Sequence, residues 1–475
     1  MKPNLEALSD EILVRIFSFL SARDLCRCSK VCSSWCRLAN DLHLWKNLFI
    51  KRFNRFVSDP SFYNNVTPSQ WKELYILKSN WFSGHCHVQQ LKKETPVHSD
   101  SVLTKVTCLK ISKCGENILS SVNQGSKIVN IWSLEEKRGL HVVRCEGVVS
   151  SLDFGCLHSR NLLAIGLSRN KFCLWDFKLA RYRLHQINLN ERSLEDFPIL
   201  QNISPPFNLS DSTVVRVNLV DDKLATVTQD CIIKVWQLNF RPDGSVSCQP
   251  LHTLSTNKPR CSVLDIQLKH ETVNGYWSVS ISHAAEVLEN WNLIGFQSLK
   301  FQGINLVNFE SPIITPAIHY SGFNTDIDYH LEDKQEYKSQ QQESMSSRTF
   351  ISCLSISPCT KLVTSGQNDN TISLWDTSTK MRRHTLFGHT GSVTCTDVDR
   401  HKVVSGSNDR TVKVWSLESG DCQLTLPEDH SSGVSCVTFN DQWVVSGDNS
   451  GEIKVWDFAV NSLSVLQSQD STEFK

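Results

Sequence analysis

The sequence predicts two parts, a small all-α module over residues 4–53 and a larger all-β domain built from repeats over residues 85–467. Three observations support this fold class. Short helical turns with apolar anchors are crowded into the first part, and strand-like segments closed by tryptophan recur along the second. The chain has 475 residues, of which 40% are apolar, so it is long enough for one small module and one large repeat domain.

The N-terminal module consists of several short segments with apolar residues at helical spacing. They are Leu8–Leu13, Ile16–Leu20, Val31–Trp35 and Leu44–Leu48. A piece of about forty residues buries too little surface to form a self-sufficient core. Because such a piece is usually stabilised by a partner, we expect this module to dock onto another protein.

These segments resemble an F-box, the helical motif by which substrate receptors of SCF-type ubiquitin ligases bind the Skp adaptor. The resemblance depends on the leucine spacing, on Val31 and Trp35, and on the pair Leu44-Trp45. Ser9 stands where the family usually has proline, and its hydroxyl is expected to cap the following helix. Some residues of the motif are expected to support the module's own packing. The resemblance implies adaptor contact through Leu8, Ser9, Ile12, Ile16, Leu20, Leu25, Val31, Trp35, Leu44 and Trp45.

Residues 54–84 form a linker between the two parts, and its second half is expected to be helical. A cap signal precedes a segment in which apolar residues recur at helical spacing. In proteins that the module resembles, a helical linker holds the repeat domain at a fixed distance from the adaptor. We expect the same role here for Trp71, Leu74, Tyr75 and Leu77.

The larger part contains strand-like segments that each end in tryptophan after alternating apolar residues. These anchors are Trp132, Trp175, Trp236, Trp291, Trp375, Trp415 and Trp456. The last three are about forty residues apart, a period typical of repeats with four short strands. Strand openings such as Val393-Thr394-Cys395 and second strands such as Val404-Ser405-Gly406 precede most of the anchors.

This arrangement resembles the WD-repeat family, whose repeats form the blades of a β-propeller. The family's buried tetrad of histidine, serine or threonine, aspartate and tryptophan maps fully onto one repeat, at His389, Ser405, Asp409 and Trp415. The next repeat departs from the pattern, because Ser450 stands where aspartate is expected. Such a tetrad gives each buried polar group a partner, so its expected role is structural.

The number of blades depends on the spacing between Trp291 and Trp375, which is about two periods. We expect seven blades, the commoner ring size in the family, while residues 304–331 leave a degenerate eighth blade open. Closing the ring requires a strand that pairs with the last blade. His87–Leu91 and Ser462–Leu466 compete for this position.

Polar insertions interrupt the repeat pattern. Residues 332–348 contain Gln340-Gln341-Gln342 and several serines, and we expect them to form a mobile surface loop. Residues 177–212 and 240–260 are expected to be long loops between strands. Residues 468–475 are expected to be a C-terminal tail.

Charge and cysteine content restrict the functional class. Lys plus Arg and Asp plus Glu both number 49, and the resulting zero net charge argues against a nucleic-acid binder. The sequence has neither an apolar run long enough for a membrane helix nor a signal peptide. Its 18 cysteines are therefore expected to be reduced thiols of an intracellular protein, in the cytoplasm, the nucleus or both.

Four cysteines of the N-terminal module form a candidate metal site: Cys26, Cys28, Cys32 and Cys36. Zinc sites usually combine a tight pair of ligands with a distant second pair, so that four ligands surround the ion. The last three of these cysteines would share one straight helical face and diverge along its axis. Small buried or interface thiols are the better interpretation, and we expect no metal site.

An enzyme active site is not indicated either. His389 and Ser405 offer a base and a nucleophile, but the repeat context of Gly388-His389-Thr390 favours the structural tetrad. The sequence contains neither a phosphate-binding loop nor a nucleophile elbow. We therefore expect a non-catalytic protein without a cofactor.

The rim of the predicted propeller is where we expect a substrate. The turn before each tryptophan-closed strand lies near one rim of a propeller's central channel, and Lys127, Asn170, Asn370 and Arg410 occupy such turns. Asp409-Arg410-Thr411 looks like the element that points an arginine at phosphate in some phosphodegron-reading relatives, and the arginine fork suits phosphate. The strand openings lack arginine, so a plain solvated rim is the competing interpretation.

The two resemblances together predict the substrate-recognition subunit of an SCF-type ubiquitin ligase. The F-box would bind the Skp adaptor, which links to the cullin and RING subunits, and the propeller would hold a protein substrate for ubiquitination and degradation. The chain would supply proximity rather than catalysis. Two alternatives stay open: a propeller scaffold that acts outside a ligase, and a phosphopeptide-reading module.

Overall fold

The computed structural model describes most of both predicted parts. The described residues are 8–53, 70–91, 105–112, 117–157, 160–168, 171–177, 201–203, 213–240, 246–255, 263–271, 276–283, 287–294, 297–305, 350–357, 361–379 and 381–460. The expected loop at 332–348, the tail at 468–475 and all but the first two residues of 304–331 lie outside them.

The helices of the described residues all precede the first strand. They are α1 Asp10–Phe17, α2 Ala22–Cys28, α3 Ser33–Ala39, α4 Leu42–Phe53 and α5 Gln70–Ser83. The first four surround a core that includes Phe17, Leu25 and Trp45, and Trp71 and Tyr75 of α5 are part of the same core. The α-module therefore takes part of its hydrophobic core from the helical linker.

Ser9 lies at the start of α1, but its side chain makes no capping hydrogen bond. The expected hydroxyl cap is therefore wrong. The acidic residues Asp10 and Glu11 in the first turn complement the helix dipole instead. A serine cap is found at the next helix, where Ser21 Oγ accepts a hydrogen bond from Asp24 N at 3.2 Å.

The all-β part consists, within the described residues, of seven four-stranded antiparallel sheets, here called blades one to seven. Blade one comprises β2 Val106–Ile111, β3 Ile118–Asn123, β4 Ile128–Ser133 and β5 Arg138–Arg144. Blade two comprises β6 Val149–Leu157, β7 Arg160–Leu167, β8 Lys171–Asp176 and β9 Gln201–Ile203. Blade three comprises β10 Val214–Val220, β11 Lys223–Thr228, β12 Ile232–Phe240 and β13 Val246–Ser255.

The remaining blades repeat this order of strands. Blade four comprises β14 Val263–Glu271, β15 Tyr276–His283, β16 Val287–Ile294 and β17 Gln297–Asn305. Blade five comprises β18 Ile351–Ile356, β19 Leu362–Gln367, β20 Ile372–Asp376 and β21 Met381–Leu386. Blade six comprises β22 Val393–Val398, β23 Lys402–Ser407, β24 Val412–Ser416 and β25 Cys422–Thr425. Blade seven comprises β26 Val434–Phe439, β27 Trp443–Asp448, β28 Ile453–Asp457 and β1 His87–Leu91.

Blade seven is completed by a strand from near the N-terminus. β1 pairs antiparallel with β28, with Val88 opposite Trp456 and Leu91 opposite Ile453. The prediction that His87–Leu91 closes the ring is therefore confirmed, and the competing segment Ser462–Leu466 lies outside the described residues. This closure leaves β28 paired on both sides, which hides a sheet edge.

Two segments expected to be loops contain outer strands. β13 lies within 240–260 and pairs with β12 from Ile232 to Phe240. β9 lies within 177–212 and pairs with β8. An outer strand has only one neighbour and is held mainly by backbone hydrogen bonds, so its sequence need not alternate in the way that identifies inner strands.

Side-chain hydroxyls at the start of the inner strands connect neighbouring blades. Ser435 Oγ donates to Val106 O at 2.6 Å, which joins blade seven to blade one. Thr394 Oγ1 donates to Val434 O at 2.5 Å, and Ser352 Oγ donates to Val393 O in the same way. The inner strands surround a central channel with a cavity volume of about 940 Å³.

Candidate functional site

An apolar patch is exposed on the N-terminal module. It is formed by Ile12, Ile16 and Phe19, which follow one face of α1 and the turn after it. Val31, which follows α2, is a further exposed apolar residue of the module. The exposed fractions of these four residues are 49%, 43%, 84% and 63%. The opposite face of α1 buries Leu13 and Phe17, so the helix is amphipathic with a second apolar stripe on its solvent side. A cluster of this kind is typical of a docking surface.

The implied adaptor contacts fall into three groups in the structure. Ser9, Ile12, Ile16 and Val31 are exposed, while Leu8, Leu20 and Trp35 are half-buried. Leu25, Leu44 and Trp45 are buried to 3% exposure or less. The last three side chains are therefore core residues that could affect a partner only through the fold of the module. Phe19 was missed by the sequence reasoning, although its spacing from Ile12 and Ile16 is helical.

The buried tryptophan of this group has a clear structural role. Trp45 Nε1 donates to Ala39 O at 2.8 Å, which ties α4 to the end of α3. Its ring also packs edge-on against Tyr75 of α5, with 5.6 Å between ring centroids. This side chain holds three helices together and presents no surface to a partner.

Helix α5 joins the α-module to the propeller through its two ends. At its N-terminal end, Trp71 packs on Phe49 and Tyr75 packs on Phe53, with centroid distances of 5.5 and 5.4 Å. Arg52 Nη1 also donates to Tyr75 Oη at 3.0 Å. Of the linker residues expected to fix the geometry, Trp71 and Tyr75 thus lie against α4 and Leu74 packs on the same core, whereas Leu77 packs on the propeller cluster that contains Trp81 and Phe458.

The C-terminal end of α5 is bound to blade seven. The rings of Trp81 and Phe458 stack at 3.9 Å, and Trp81 Nε1 donates to Asp441 O at 2.7 Å. Asn80 Nδ2 donates to Phe458 O at 2.7 Å. Gly84 ends the helix with a positive φ of 73°, where a Cβ atom would lie 2.6 Å from a methyl group of Leu424.

The ammonium group of Lys402 makes a cation–π contact with the ring of Trp81. Lys402 Nζ lies 4.1 Å from the ring centroid of Trp81, and it also forms an ion pair with Asp399 at 3.3 Å. Lys78 lies 4.0 Å from Asp441, and burial lowers the pKa of its ammonium group. The joint between α5 and the propeller therefore combines stacking, hydrogen bonds and cation–π contacts.

The tetrad of blade six is assembled as a continuous chain of hydrogen bonds. Trp415 Nε1 donates to Ser405 Oγ at 2.8 Å, and Ser405 Oγ bonds to His389 Nε2 at 2.8 Å. His389 Nδ1 bonds to Asp409 Oδ2 at 2.8 Å. Burial lowers the pKa of His389 despite the neighbouring carboxylate. The arrangement orients the loop before β22 and offers no open position for a substrate.

The structure describes three of the four predicted rim residues. Lys127 and Arg410 are exposed, Asn370 is half-buried, and Asn170 lies outside the described residues. Asn370 and Arg410 both have a φ of 72° in tight turns. Two aromatic residues of the same rim were missed by the sequence reasoning. Phe387, which precedes the tetrad loop, and Phe350, which precedes β18, are 72% and 56% exposed.

The central channel is lined by charged groups of both signs, most of them half-buried. Lys110 faces Asp153, Asp397 and Asp265; burial opposes its charged form, but these carboxylates raise the pKa of Lys110. Burial raises the pKa of Asp265 to about 6, while Lys110 and Arg216 oppose this shift. The carboxylates also join inner strands of neighbouring blades, because Asp265 Oδ2 accepts from Ile356 N at 3.2 Å and Asp397 Oδ2 accepts from Phe439 N at 3.3 Å. These contacts give the channel lining a structural role.

The cysteines of the α-module are dispersed. Cys26 is buried, Cys28 and Cys36 are half-buried, and Cys32 is exposed. Cys32 Sγ accepts a hydrogen bond from Trp35 N at 3.4 Å, so it caps α3. Within the described residues, these thiols are not part of any cluster of potential metal ligands. Among those same residues, no helix is long and apolar enough to cross a membrane.

Comparisons with known protein families match the two parts separately. The family described as F-box-like matches residues 8–51. The family described as WD domain, G-beta repeat matches residues 339–376, 380–416 and 420–457. These matches bear out both resemblances.

Individual relatives share short segments with this chain. F-box/LRR-repeat protein 5 of Danio rerio is 42% identical over 52 residues, which are 11% of this chain and 8% of that protein. An F-box protein of Saccharomyces cerevisiae is 27% identical over 125 residues, 20% of this chain and 19% of that protein. The chain spans less than a fifth of the length of these curated relatives. The crystal structure of the WD40 beta propeller domain of Doa1 aligns with a TM-score of 0.46 at 17% identity, covering 80% of this chain and 98% of that one.

Proposed function

We propose that this chain, which carries an F-box-like module followed by WD40 repeats, is the substrate-recognition subunit of an SCF-type ubiquitin ligase. The observation that carries this proposal is the exposed apolar patch of Ile12, Ile16 and Phe19 on a module that is joined to a propeller by one packed helix. A receptor needs both features, because it must bind the adaptor on one side and a substrate on the other. The role implies an intracellular protein of the cytoplasm, the nucleus or both.

The apolar patch is the proposed docking surface for the Skp adaptor. Burying apolar surface contributes about 25 cal/mol per Å², so a few large side chains supply most of the affinity. Phe19 is the most exposed member and an aromatic residue, which makes it the strongest candidate for an anchor. The adaptor would then link the chain to the cullin and RING subunits.

The packed helix α5 determines how the substrate is presented. Contacts at both of its ends, through Tyr75 to α4 and through Trp81 to blade seven, limit the relative motion of module and propeller. Fixing the substrate in this way raises its effective concentration near the ubiquitin-charged enzyme. The chain would thus contribute binding and orientation, and the other subunits the chemistry.

The propeller rim is the proposed substrate surface. Phe350 and Phe387 are exposed aromatic residues on loops at the same end as the tetrad, and Lys127 and Arg410 add positive charge in turns of that end. Aromatic and arginine side chains are typical anchors of protein interfaces. We therefore favour a protein substrate bound by mixed apolar and charged contacts, with phosphate recognition by Arg410 as a narrower possibility of the same surface.

The direct test is binding of the full-length chain to purified Skp adaptor, measured by surface plasmon resonance. The double variant Ile16→Glu with Phe19→Glu places two charges in the patch and should abolish binding. Met381→Glu is the matched control, because Met381 is equally apolar and 67% exposed but lies on blade five. The adaptor role would be refuted by equal binding of the two variants.

A second measurement separates a ligase subunit from a scaffold. Proteins that co-purify with the chain are tested for ubiquitination by the reconstituted complex, with and without the cullin. A receptor should give cullin-dependent modification of at least one partner, and the double variant should not. A scaffold would bind the adaptor and the same partners without any cullin-dependent modification.

A further inference from the structure

Three potential metal ligands converge at the rim end of blade seven. His430 Nδ1 lies 3.6 Å from Asp448 Oδ2 and 3.6 Å from Glu452 Oε2. The three ligand atoms all lie within 4.8 Å of one another. His430 is 3% exposed and Asp448 is fully buried, whereas Glu452 is half-buried and opens towards the surface.

The imidazole of His430 lacks a hydrogen-bond partner on the side that faces these carboxylates. Its Nδ1 is buried and makes no hydrogen bond, because 3.6 Å is too long for one. A buried polar atom without a partner costs about 1–3 kcal/mol, so such atoms require an explanation. Here the unpaired nitrogen points at two carboxylates.

The neighbouring repeat of the same chain shows what a closed arrangement looks like. In blade six, His389 Nδ1 lies 2.8 Å from Asp409 Oδ2 and is directly hydrogen-bonded. In blade seven, Ser450 occupies the position of that aspartate, and Asp448 and Glu452 approach from either side of it. The histidine is thus retained while its partner has been replaced by two more distant carboxylates.

The hydrogen bonds around His430 also differ from those around His389 of blade six. In blade six the indole of Trp415 donates to Ser405, whereas in blade seven Trp456 Nε1 donates to Pro427 O at 2.9 Å. Ser446 Oγ therefore accepts no indole hydrogen, and it can accept one from His430 Nε2 at 2.5 Å. With the proton on Nε2, the lone pair of Nδ1 would face the two carboxylates, an arrangement that a bound cation would stabilise.

The surrounding groups orient the carboxylates, and one hydroxyl bridges them: Ser431 Oγ donates to Asp448 Oδ2 and to Glu452 Oε2, both at 3.2 Å. Asp448 Oδ1 accepts from Ser450 N and Glu452 N at 2.9 and 2.8 Å, and Ser432 Oγ donates to Oδ2 at 2.9 Å. Lys454 Nζ lies 3.6 Å from Glu452 Oε1, the oxygen that does not face His430. Such outer contacts are what positions the ligands of a metal site.

We propose that His430, Asp448 and Glu452 hold a single divalent first-row transition-metal ion, for which Zn²⁺ is the reference. Two ligand atoms about 2.1 Å from a tetrahedral ion lie about 3.4 Å apart, which is close to the 3.6 Å separations observed. One imidazole and two carboxylates suit zinc, whereas calcium and magnesium prefer oxygen ligands alone. The fourth position would be taken by a water or by the Ser431 hydroxyl, which already contacts Asp448 Oδ2 and Glu452 Oε2 and would exchange these hydrogen bonds for the ion.

The ion would connect two loops of blade seven. His430 lies in the loop before β26, while Asp448 and Glu452 flank the turn between β27 and β28. His430 N also donates to Arg410 O at 3.1 Å, so the site adjoins the blade-six turn that carries the candidate rim arginine. The metal is therefore inferred to stabilise the rim where a substrate would bind, independently of adaptor binding.

The test is Zn²⁺ binding by the full-length chain after removal of metal with a chelator. Wild type should bind one equivalent against a competing chromophoric chelator, and Glu452→Gln should weaken the affinity at least about ten-fold. Zn²⁺ should also raise the melting temperature of wild type but not that of Glu452→Gln. Asp409→Asn is the matched control, since it removes the tetrad carboxylate of blade six and should keep the zinc effect.

Cobalt substitution identifies the ligands, because the exposed thiols of Cys32 and Cys422 also attract metals. Bound Co²⁺ should give visible bands without the intense thiolate charge-transfer absorption in the near ultraviolet. Unchanged zinc affinity in both Glu452→Gln and Asp448→Asn, a thiolate spectrum, or the absence of saturable binding by wild type would each overturn the proposal. In the last case, a protonated His430 shared between the carboxylates would explain the geometry.

Discussion

The indole of Trp81 lies face to face with the phenyl ring of Phe458, 3.9 Å away and only 7° from parallel. Trp81 belongs to the linker helix, whereas Phe458 directly follows the last strand of the propeller. Because Phe458 is fully buried and Trp81 is 8% exposed, the joint between module and propeller is a small hydrophobic core of its own. Its stability decides whether the two parts move as one body.

Replacing Trp81 with alanine should loosen this joint. The substitution removes the stack, the hydrogen bond to Asp441 O and the contact with Lys402, at a cost of about 3–5 kcal/mol typical of a buried large aromatic residue. We expect faster proteolysis near Gly84 and a lower melting temperature. Phe82→Ala is the control: Phe82 is 44% exposed and stacks on Phe53 of the α-module, so the propeller joint should stay intact.

Ser405→Ala should destabilise blade six more than its size suggests. Ser405 Oγ contacts both Trp415 Nε1 and His389 Nε2, so its removal leaves two buried polar atoms without partners. At about 1–3 kcal/mol for each such atom, we expect a loss of about 2–6 kcal/mol in the free energy of unfolding, measured by urea denaturation. Ser419 is exposed in the same blade, so Ser419→Ala should change the free energy of unfolding by no more than about 0.5 kcal/mol. Equal effects of the two substitutions would contradict the tetrad's structural role.

The fold was predictable wherever the sequence repeats a local rule. The tryptophan-closed strands could be identified because buried third strands need alternating apolar residues. His87–Leu91, an outer strand, could only be offered as one of two segments able to close the ring. The outer strands β9 and β13 were expected to be loops, since backbone pairing on one side places few demands on side chains. The two families match residues 8–51 and three segments between residues 339 and 457, which are the parts of the sequence with the clearest patterns.

The candidate sites were less predictable because they depend on which side chains meet in space. The leucine and tryptophan spacing of the α-module identified a motif, but it could not separate the exposed Ile16 from the buried Leu25 and Trp45. At blade seven, Ser450 correctly indicated a missing aspartate. The carboxylates of Asp448 and Glu452, which lie near His430 in place of that aspartate, come from positions on either side of Ser450. A fixed repeat pattern assigns no role to those two positions.

The pH dependence of stability should report on Asp409. Burial alone would raise its pKa, but hydrogen bonds from Thr411 and from Thr390 N outweigh burial and hold the pKa at about 2. Because this folded-state pKa lies below the unfolded value of 3.8, the carboxylate stabilises the fold above about pH 4, and this contribution of about 2 kcal/mol is lost as the pH falls towards 2. We expect the free energy of unfolding of Asp409→Asn to fall less steeply below pH 4 than that of wild type.

The buried histidines act in a different pH window, which allows the two effects to be separated. Burial lowers the pKa of His389 and of His430 from the usual 6.5, so the unfolded state takes up protons first. Their contribution to stability therefore begins to decrease as the pH falls through 6.5. In Asp409→Asn the pKa of His389 should be lower still, because the carboxylate that raises it is removed, so the loss due to His389 should continue to a lower pH than in wild type. Equal slopes of the two proteins between about pH 4 and pH 2 would contradict the assignment to Asp409.

A pair of substitutions in the α-module should separate docking from folding. Leu25→Ala removes a side chain that is 1% exposed and should lower the stability of the module by about 2–5 kcal/mol, seen as loss of helical circular dichroism on mild heating. Ile16→Ala removes one that is 43% exposed, so it should leave the melting profile unchanged and weaken adaptor binding about ten-fold or more. If Leu25→Ala instead weakened adaptor binding while the module kept its stability, Leu25 would be a direct contact that becomes accessible only in the complex. If Ile16→Ala lowered stability without affecting binding, the exposed face of α1 would not be the docking surface.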